Sequence, residues 1–301
     1  MKNKLQAYLS LHFCVFLWGF TAILGKLINL NAIPLVWWRV FLASATLFFL
    51  IPRRKLLSFS RKLWLRLILI GSLVGVHWIC FYAAVKLSNA SVAVATMATT
   101  SFFAAIAEPI ITRQKVKWYE LGLGLLILPG MALVIGTINW DMQIGFGLGI
   151  LGALIASVFN SLNKEVVEKY SPAPLLMSFV QLSAATLICS VFIPFLLWHT
   201  PETRLMPSSQ DWIWLLVLTW LCTLLTHYLT LQALRHISAF GTILTINLEP
   251  IYGVLLAALI FREDKELGPN FYLGMLIILL AVFSHPFLKS FFEKEPIQPP
   301  N

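Results

Sequence analysis

Glu249 and Pro250 stand side by side in the middle of a stretch, Ser238 to Arg262, that is otherwise almost wholly apolar. A charge at the centre of a membrane-length helix costs roughly 2.5 to 3.5 kcal/mol on insertion scales, so it seldom sits there without a use. Proline removes a backbone donor at the same place and frees the carbonyl one turn earlier, near Ile246. The pair predicts a helix kinked where it lines a polar cavity, because irregular backbone at membrane depth persists only against protein or water. Glu249 lies about 16 Å into its segment at 1.5 Å per residue, close to the middle of a ~30 Å hydrocarbon core. Its carboxyl can hydrogen-bond a solute amine or hydroxyl, or it can exchange a proton during transport. The plain structural alternative is a carboxylate bonded to Asn247, Tyr252 or a neighbouring helix.

Other polar residues in apolar runs are candidates for the same cavity. His77 and His227 fall on the third and eighth runs; Phe81 and Tyr82 follow the first by four and five residues, and Gln232 follows the second by five, alongside Tyr228. Aromatic faces with a few hydrogen-bonding tips suit a partly apolar organic solute better than a bare ion. Arg39 lies ~9 Å deep in its run, which demands a carboxylate or carbonyl partner: a substrate carboxylate or Glu249 itself. Lys26 is placed to snorkel to the interface. Trp18, beside Gly19, is a candidate cavity wall, and Glu108 with Pro109 marks the end of the fourth run, where it either gates the path or reaches toward Arg113 and Lys115. No Gly-rich phosphate loop, His-Glu-x-x-His or Gly-x-Ser-x-Gly occurs, so neither ATP, a metal nor a cofactor is expected.

The elements that must position these residues follow from composition. Of 301 residues, 59% are hydrophobic and 12% charged, and the mean hydropathy is +0.83. This describes an all-helical integral membrane protein. Ten apolar runs appear, each near the ~20 residues that span a bilayer. The first is too long for a signal peptide and lacks a small-residue cleavage site. Cys14, Cys80, Cys189 and Cys222 fall on four different runs and read as small buried apolar residues. The net charge of +9 does not point to nucleic acid, because basic residues crowd one set of links. Arg53, Arg54, Lys55, Arg113, Lys115 and Lys164 are among them, whereas the other set holds Lys86, Arg204, Arg262 and Lys265. By the positive-inside rule both termini are cytoplasmic.

An internal repeat organises the runs. Ala84 to Ala90 lines up with Ala233 to Ala239 at a shift of 149, and the same shift sets Thr100-Ser101 on Glu249-Pro250 and Arg113 on Arg262. Five helices used twice give an inverted repeat, with the site near midplane where the halves meet. Trp18-Gly19 with Lys26, Pro34 with Arg39, Lys86 to Ser91, Leu248-Glu249-Pro250 and Phe261-Arg262-Glu263 together resemble the drug/metabolite transporter superfamily, EamA type. The resemblance implies two bundles, helices one to four and six to nine, around a central cavity, with the fifth and tenth packed outside. Thr100-Ser101 departs from it, standing where many first halves have proline. The expected organisation is residues 1–139 as the first repeat, 140–290 as the second and 291–301 as a cytoplasmic tail.

The expected activity is alternating-access transport of a small organic metabolite, an amino acid or related amphiphile, across the cell (inner) membrane, in the export direction that the resemblance implies. It is not expected to be an enzyme. Protons are the candidate coupling partner, the lipid bilayer is the surroundings, and monomer and homodimer both stay open. The candidate site is Glu249, His77, His227, Tyr82, Thr100, Gln232, Asn247, Trp18, Arg39 and Glu108. The rival is a polytopic membrane enzyme using Glu249, His77 and His227 on a lipid-linked substrate. A transport cavity of ~300 Å³ or more, open to one aqueous side, would favour transport.

Overall fold

The computed structural model describes residues 2–136, 138–237, 242, 245–246, 248–263 and 267–292. They form helices α1 (Lys2–Leu27), α2 (Ala32–Leu50), α3 (Arg61–Leu87), α4 (Ala90–Met97), α5 (Thr100–Thr112), α6 (Trp118–Ile135), α7 (Gln143–Tyr170), α8 (Pro174–His199), α9 (Ser209–Thr219), α10 (Thr226–Ala233), α11 (Glu249–Phe261) and α12 (Pro269–Phe292), with a π-helical segment, Trp220–Leu225, joining α9 to α10. Among the described residues, eight helical segments are long and apolar enough to cross a membrane, and two shorter apolar helices follow them. Apolar side chains such as Phe49, Leu187 and Leu259 cover the outside of the bundle. The protein is a multi-pass membrane protein whose solvent on most faces is lipid.

Local chemistry sets the helix ends. Ser60 and Asn89 cap α3 and α4 by accepting from Leu63 N at 3.2 Å and Val92 N at 2.8 Å, and Ser208 with Asp211 forms a capping box at α9. Arg113 and Arg262, related by the 149-residue shift, both end their helices in the left-handed region at φ 56° and 59°. Lys86 and Arg235, related in the same way, each donate to a carbonyl just beyond a long helix, Ile28 O and Pro172 O, both at 2.6 Å.

The helix breaks take different forms in the two halves. Thr245 and Ile246 are helical, Leu248 is a turn, and Pro250 occupies the first turn of α11, where its missing N–H would have had no partner. The first half breaks at the matching place without any proline. The fourth run divides at Ala98 and Thr99 into α4 and α5, and Thr96, Thr99 and Ser101 each donate a side-chain hydroxyl to the carbonyl three residues back. Hydroxyls that bond the backbone compete with the helical ladder and take the place of the proline.

Packing places α3 against α7 and α8, α1 against α11, and α5 against α7, while α6 pairs with α12. The α6–α12 pair has outward apolar faces and a close crossing, where a Cβ on Gly130 would stand 2.8 Å from Gly274 O. Close backbone approach of this kind is how helices associate where lipid offers no hydrophobic drive. The four cysteines are buried and unbridged.

Candidate functional site

The core of the bundle contains a cavity of about 100 Å³, lined from α1 by Trp18 and Thr21, from α2 by Arg39, from α3 by His77, Trp78 and Phe81, from α5 by Thr100, from α7 by Phe159, Asn160 and Asn163, from α10 by Thr226 and His227, and from α11 by Glu249. Side chains from both halves of the sequence therefore meet in one polar and aromatic space.

Arg39 is held on α2, whose neighbouring indoles are anchored by hydrogen bonds from Trp37 Nε1 to Ser190 Oγ and Trp38 Nε1 to Leu205 O, each at 2.8 Å. The Arg39 side chain is 2% exposed. Its Nε donates to the Thr223 hydroxyl, Nη1 to Tyr82 Oη at 2.9 Å and Nη2 to Cys222 O at 3.3 Å. Its guanidinium carbon sits 4.1 Å from the centre of the Trp78 ring, a cation–π contact strengthened by desolvation. All of these partners are neutral, and none is a carboxylate. The Cys222 carbonyl belongs to the π-helical segment, where the changed ladder turns backbone groups toward the centre; Thr223 Oγ1 correspondingly donates back to Leu218 O at 2.7 Å.

Glu249 faces the same cavity from the first turn of α11, where the helix N-terminus favours a negative group. It is 8% exposed, and no hydrogen bond to its carboxylate is found among the described residues. Arg39 and Glu249 thus face one cavity, with no hydrogen bond or ion pair found between them.

The two histidines are each fixed by one ring nitrogen. His77 Nδ1 lies 2.9 Å from Gly152 O. A carbonyl only accepts, so Nδ1 carries the proton. His227 Nε2 lies 2.9 Å from Gln181 Oε1, and Gln181 Nε2 donates to Asn163 Oδ1 at 2.6 Å. Trp18 Nε1 donates to Thr226 Oγ1 at 3.0 Å, which joins α1 to α10 across the cavity.

Six of the residues singled out in the sequence therefore line one space: Glu249, His77, His227, Thr100, Trp18 and Arg39. Tyr82 is buried behind it and positions Arg39. Gln232 does not reach it: the side chain is exposed and donates to Tyr228 Oη at 2.8 Å. At 100° per residue a position five after His227 points well away, whereas Leu231, four after, lines the cavity. Glu108 lies at the basic end of the bundle, in a separate cavity of about 230 Å³ with Lys115, Lys117 and Lys164. Asn247 lies outside the described residues. Asn160 and Asn163 went unnoticed in the sequence, although with Ala156 they mark one face of α7 at intervals of four and three.

Glu263 was visible only as part of a motif. Its side chain is 0% exposed, at the end of the bundle opposite the basic one. It accepts from Lys26 Nζ at 2.8 Å, Ser91 N at 2.9 Å, Ser91 Oγ at 2.6 Å and Ala90 N at 3.3 Å. Burial pushes its carboxyl up, but the hydrogen bonds from Lys26 and Ser91 outweigh burial and hold it below the usual carboxylate range. Lys26 is therefore an ion-pair partner, with its ammonium also 4.4 Å from the centre of the Phe261 ring.

A helical membrane bundle with a central cavity lined by aromatic and polar side chains has the form of a protein that passes or binds solutes within the bilayer. Two consecutive stretches, residues 5–136 and 143–284, match the model of the EamA-like transporter family, and the chain belongs to that family. No curated protein matches it. A solved crystal structure, described only as that of a protein, superimposes with a TM-score of 0.70 over 96% of this chain and 99% of its own at 15% identity. At that identity the likeness speaks for the fold alone.

Proposed function

We propose that this chain is a secondary transporter of the cell membrane that moves a small zwitterionic amphiphile, an amino acid or a close relative, by alternating access. Two inverted five-helix repeats would rock about the central cavity, with ten membrane crossings and both termini cytoplasmic. The basic end of the bundle is then the inner end. The observation that carries the reading is the pair of buried, unjoined ionisable groups on one small cavity. Arg39 suits a carboxylate and Glu249 an ammonium group, with Trp18, Trp78, Phe81 and Phe159 between them for an apolar side chain.

The cavity, at about 100 Å³, is smaller than the ~300 Å³ expected of an occupied ligand pocket. Alternating access would enlarge it as one end opens. Cavities of about 230, 310 and 440 Å³ lie at the basic end among the described residues; loading from that end would make export the direction. Transport rather than chemistry on a lipid-linked substrate is favoured because His77 and His227 each commit a nitrogen to a structural partner, Gly152 or Gln181, and neither is bonded to Glu249.

Glu249 is the candidate proton carrier. In proteoliposomes, Glu249→Gln is expected to abolish amino-acid flux driven by a pH gradient while the folded protein remains. Undiminished flux would remove the carboxylate from the mechanism.

A further inference from the structure

The contact around Glu263 joins three elements that alternating access must separate. Glu263 follows α11, Lys26 lies in the last turn of α1, and Ala90 and Ser91 begin α4. One carboxylate with no exposed surface accepts from all three. Opening the outer end means parting α1 and α4 from the end of α11, and hence breaking hydrogen bonds to a charge. Such bonds are roughly twice as strong as neutral ones.

The internal repeat supplies a control within the same molecule. The shift of 149 that sets Arg113 on Arg262 sets Gln114 on Glu263, and Lys164 follows Ala156-Ser157 in α7 by the same eight residues that separate Trp18-Gly19 from Lys26 in α1, a shift of 138. Gln114 and Lys164 line one cavity at the basic end. Both ends keep the strap made by Lys86 at one and Arg235 at the other, each on a carbonyl at 2.6 Å. The latch differs. Gln114 is exposed and brings no charge of its own, the carboxylates of that cavity being those of Glu108, Glu120 and Glu168. Lys164 Nζ instead donates to Leu234 O at 3.0 Å and Ile237 O at 3.2 Å and pairs with the half-exposed Glu168 at 3.1 Å. At the position matching Ser91 the second half has Phe240, which has no hydroxyl to donate.

We propose that Glu263 with Lys26, Ala90 and Ser91 is the outer latch of the transport cycle, that Gln114 and Lys164 are its inner counterpart lacking the charge, and that this one-charge asymmetry rests the protein with its outer end closed and its inner end ready to load. The assignment of inner and outer rests on the transporter reading. It deepens that reading by naming what sets the resting state.

The test measures access rather than flux. In sealed vesicles holding the full-length protein right side out, a Thr21→Cys probe in the cavity wall is labelled from outside with a membrane-impermeant maleimide; Cys14, Cys80, Cys189 and Cys222 are all buried. Glu263→Gln is expected to raise the outside labelling rate about tenfold, the ratio that losing one hydrogen bond to a charged group implies. Gln114→Glu, at an exposed position at the opposite end, is expected to raise it too, because a carboxylate there would pair with Lys164 and hold the inner end shut. The second variant tests the inner half of the asymmetry without disturbing Glu263. Unchanged labelling in Gln114→Glu therefore overturns the proposal even where Glu263→Gln fails to fold. Raised labelling with no amino-acid flux would sustain the latch and sink the substrate reading; normal flux with unchanged labelling would do the reverse.

Discussion

At the end opposite the basic one a lysine, a carboxylate and the start of a helix converge with nothing left exposed on the Glu263 side chain. At the basic end the corresponding lysine rests on two backbone carbonyls and a half-exposed glutamate, beside a cavity of about 230 Å³. The two ends descend from one pattern, so what differs is informative. A repeat can reuse its helices and straps unchanged and still set a direction by altering one residue type, here glutamate against glutamine. A symmetric pair of latches would leave both closed states equally favoured. A ligand acting equally on both could not shift the balance.

Removing the lysines breaks the comparison most strongly. Lys26→Ala leaves Glu263 buried without its counter-charge and is expected to cost on the order of 2 kcal/mol. That is less than for a fully desolvated pair, because the Lys26 side chain is 36% exposed. Lys164→Ala removes two hydrogen bonds from an ammonium group whose side chain is 14% exposed but strands no buried carboxylate, and should cost less, about 1 kcal/mol. Thermal unfolding of the purified protein in detergent checks both, and equal losses would mean that the two ends are energetically alike.

Acid sharpens the comparison with a smaller effect. Because Glu263 is held below the usual carboxylate range, its contribution is fully present above the ordinary value of roughly 4.3 and is lost as pH falls through the lower folded-state value. Outside access to a fluorophore attached at Thr21→Cys, read by an impermeant quencher because maleimide needs the thiolate that acid removes, should therefore rise only in acid, below the ordinary carboxylate range. Glu263→Gln should lack that acid-induced rise, while Lys164→Ala should keep it. A rise beginning near neutrality would place control of the outer end in another group.

Much of this was legible in the sequence for a simple reason. A charge in an apolar run costs so much that its position carries information, which is how Glu249 and Arg39 were found. The repeat was legible because the link from Ala84 to Ala90 kept its residue types, and the matched Arg113 and Arg262 also share a left-handed backbone. The break at Ala98 and Thr99 was hidden, since threonine hydroxyls interrupt a helix without a distinctive signature. The π-helical segment Trp220–Leu225 was hidden as well, because a one-residue change of ladder leaves no compositional trace. Helical direction accounts for Gln232 and Tyr82: five residues after a cavity-facing histidine a side chain has turned away, while Leu231 and Phe81, at four, face inward. Glu263 was obscure because its importance lies in partners from α1 and α4, far away in sequence.

The central claim is that Arg39 and Glu249 receive the two poles of one solute. Binding to the purified protein is measured calorimetrically for leucine, for isoamylamine, which lacks the carboxylate, and for 4-methylpentanoic acid, which lacks the amine. The account predicts that leucine binds at least about a hundredfold more tightly than either, the ratio that an unanswered buried charge imposes, and that Arg39→Gln erases its advantage over the amine. Equal affinity for all three would contradict it.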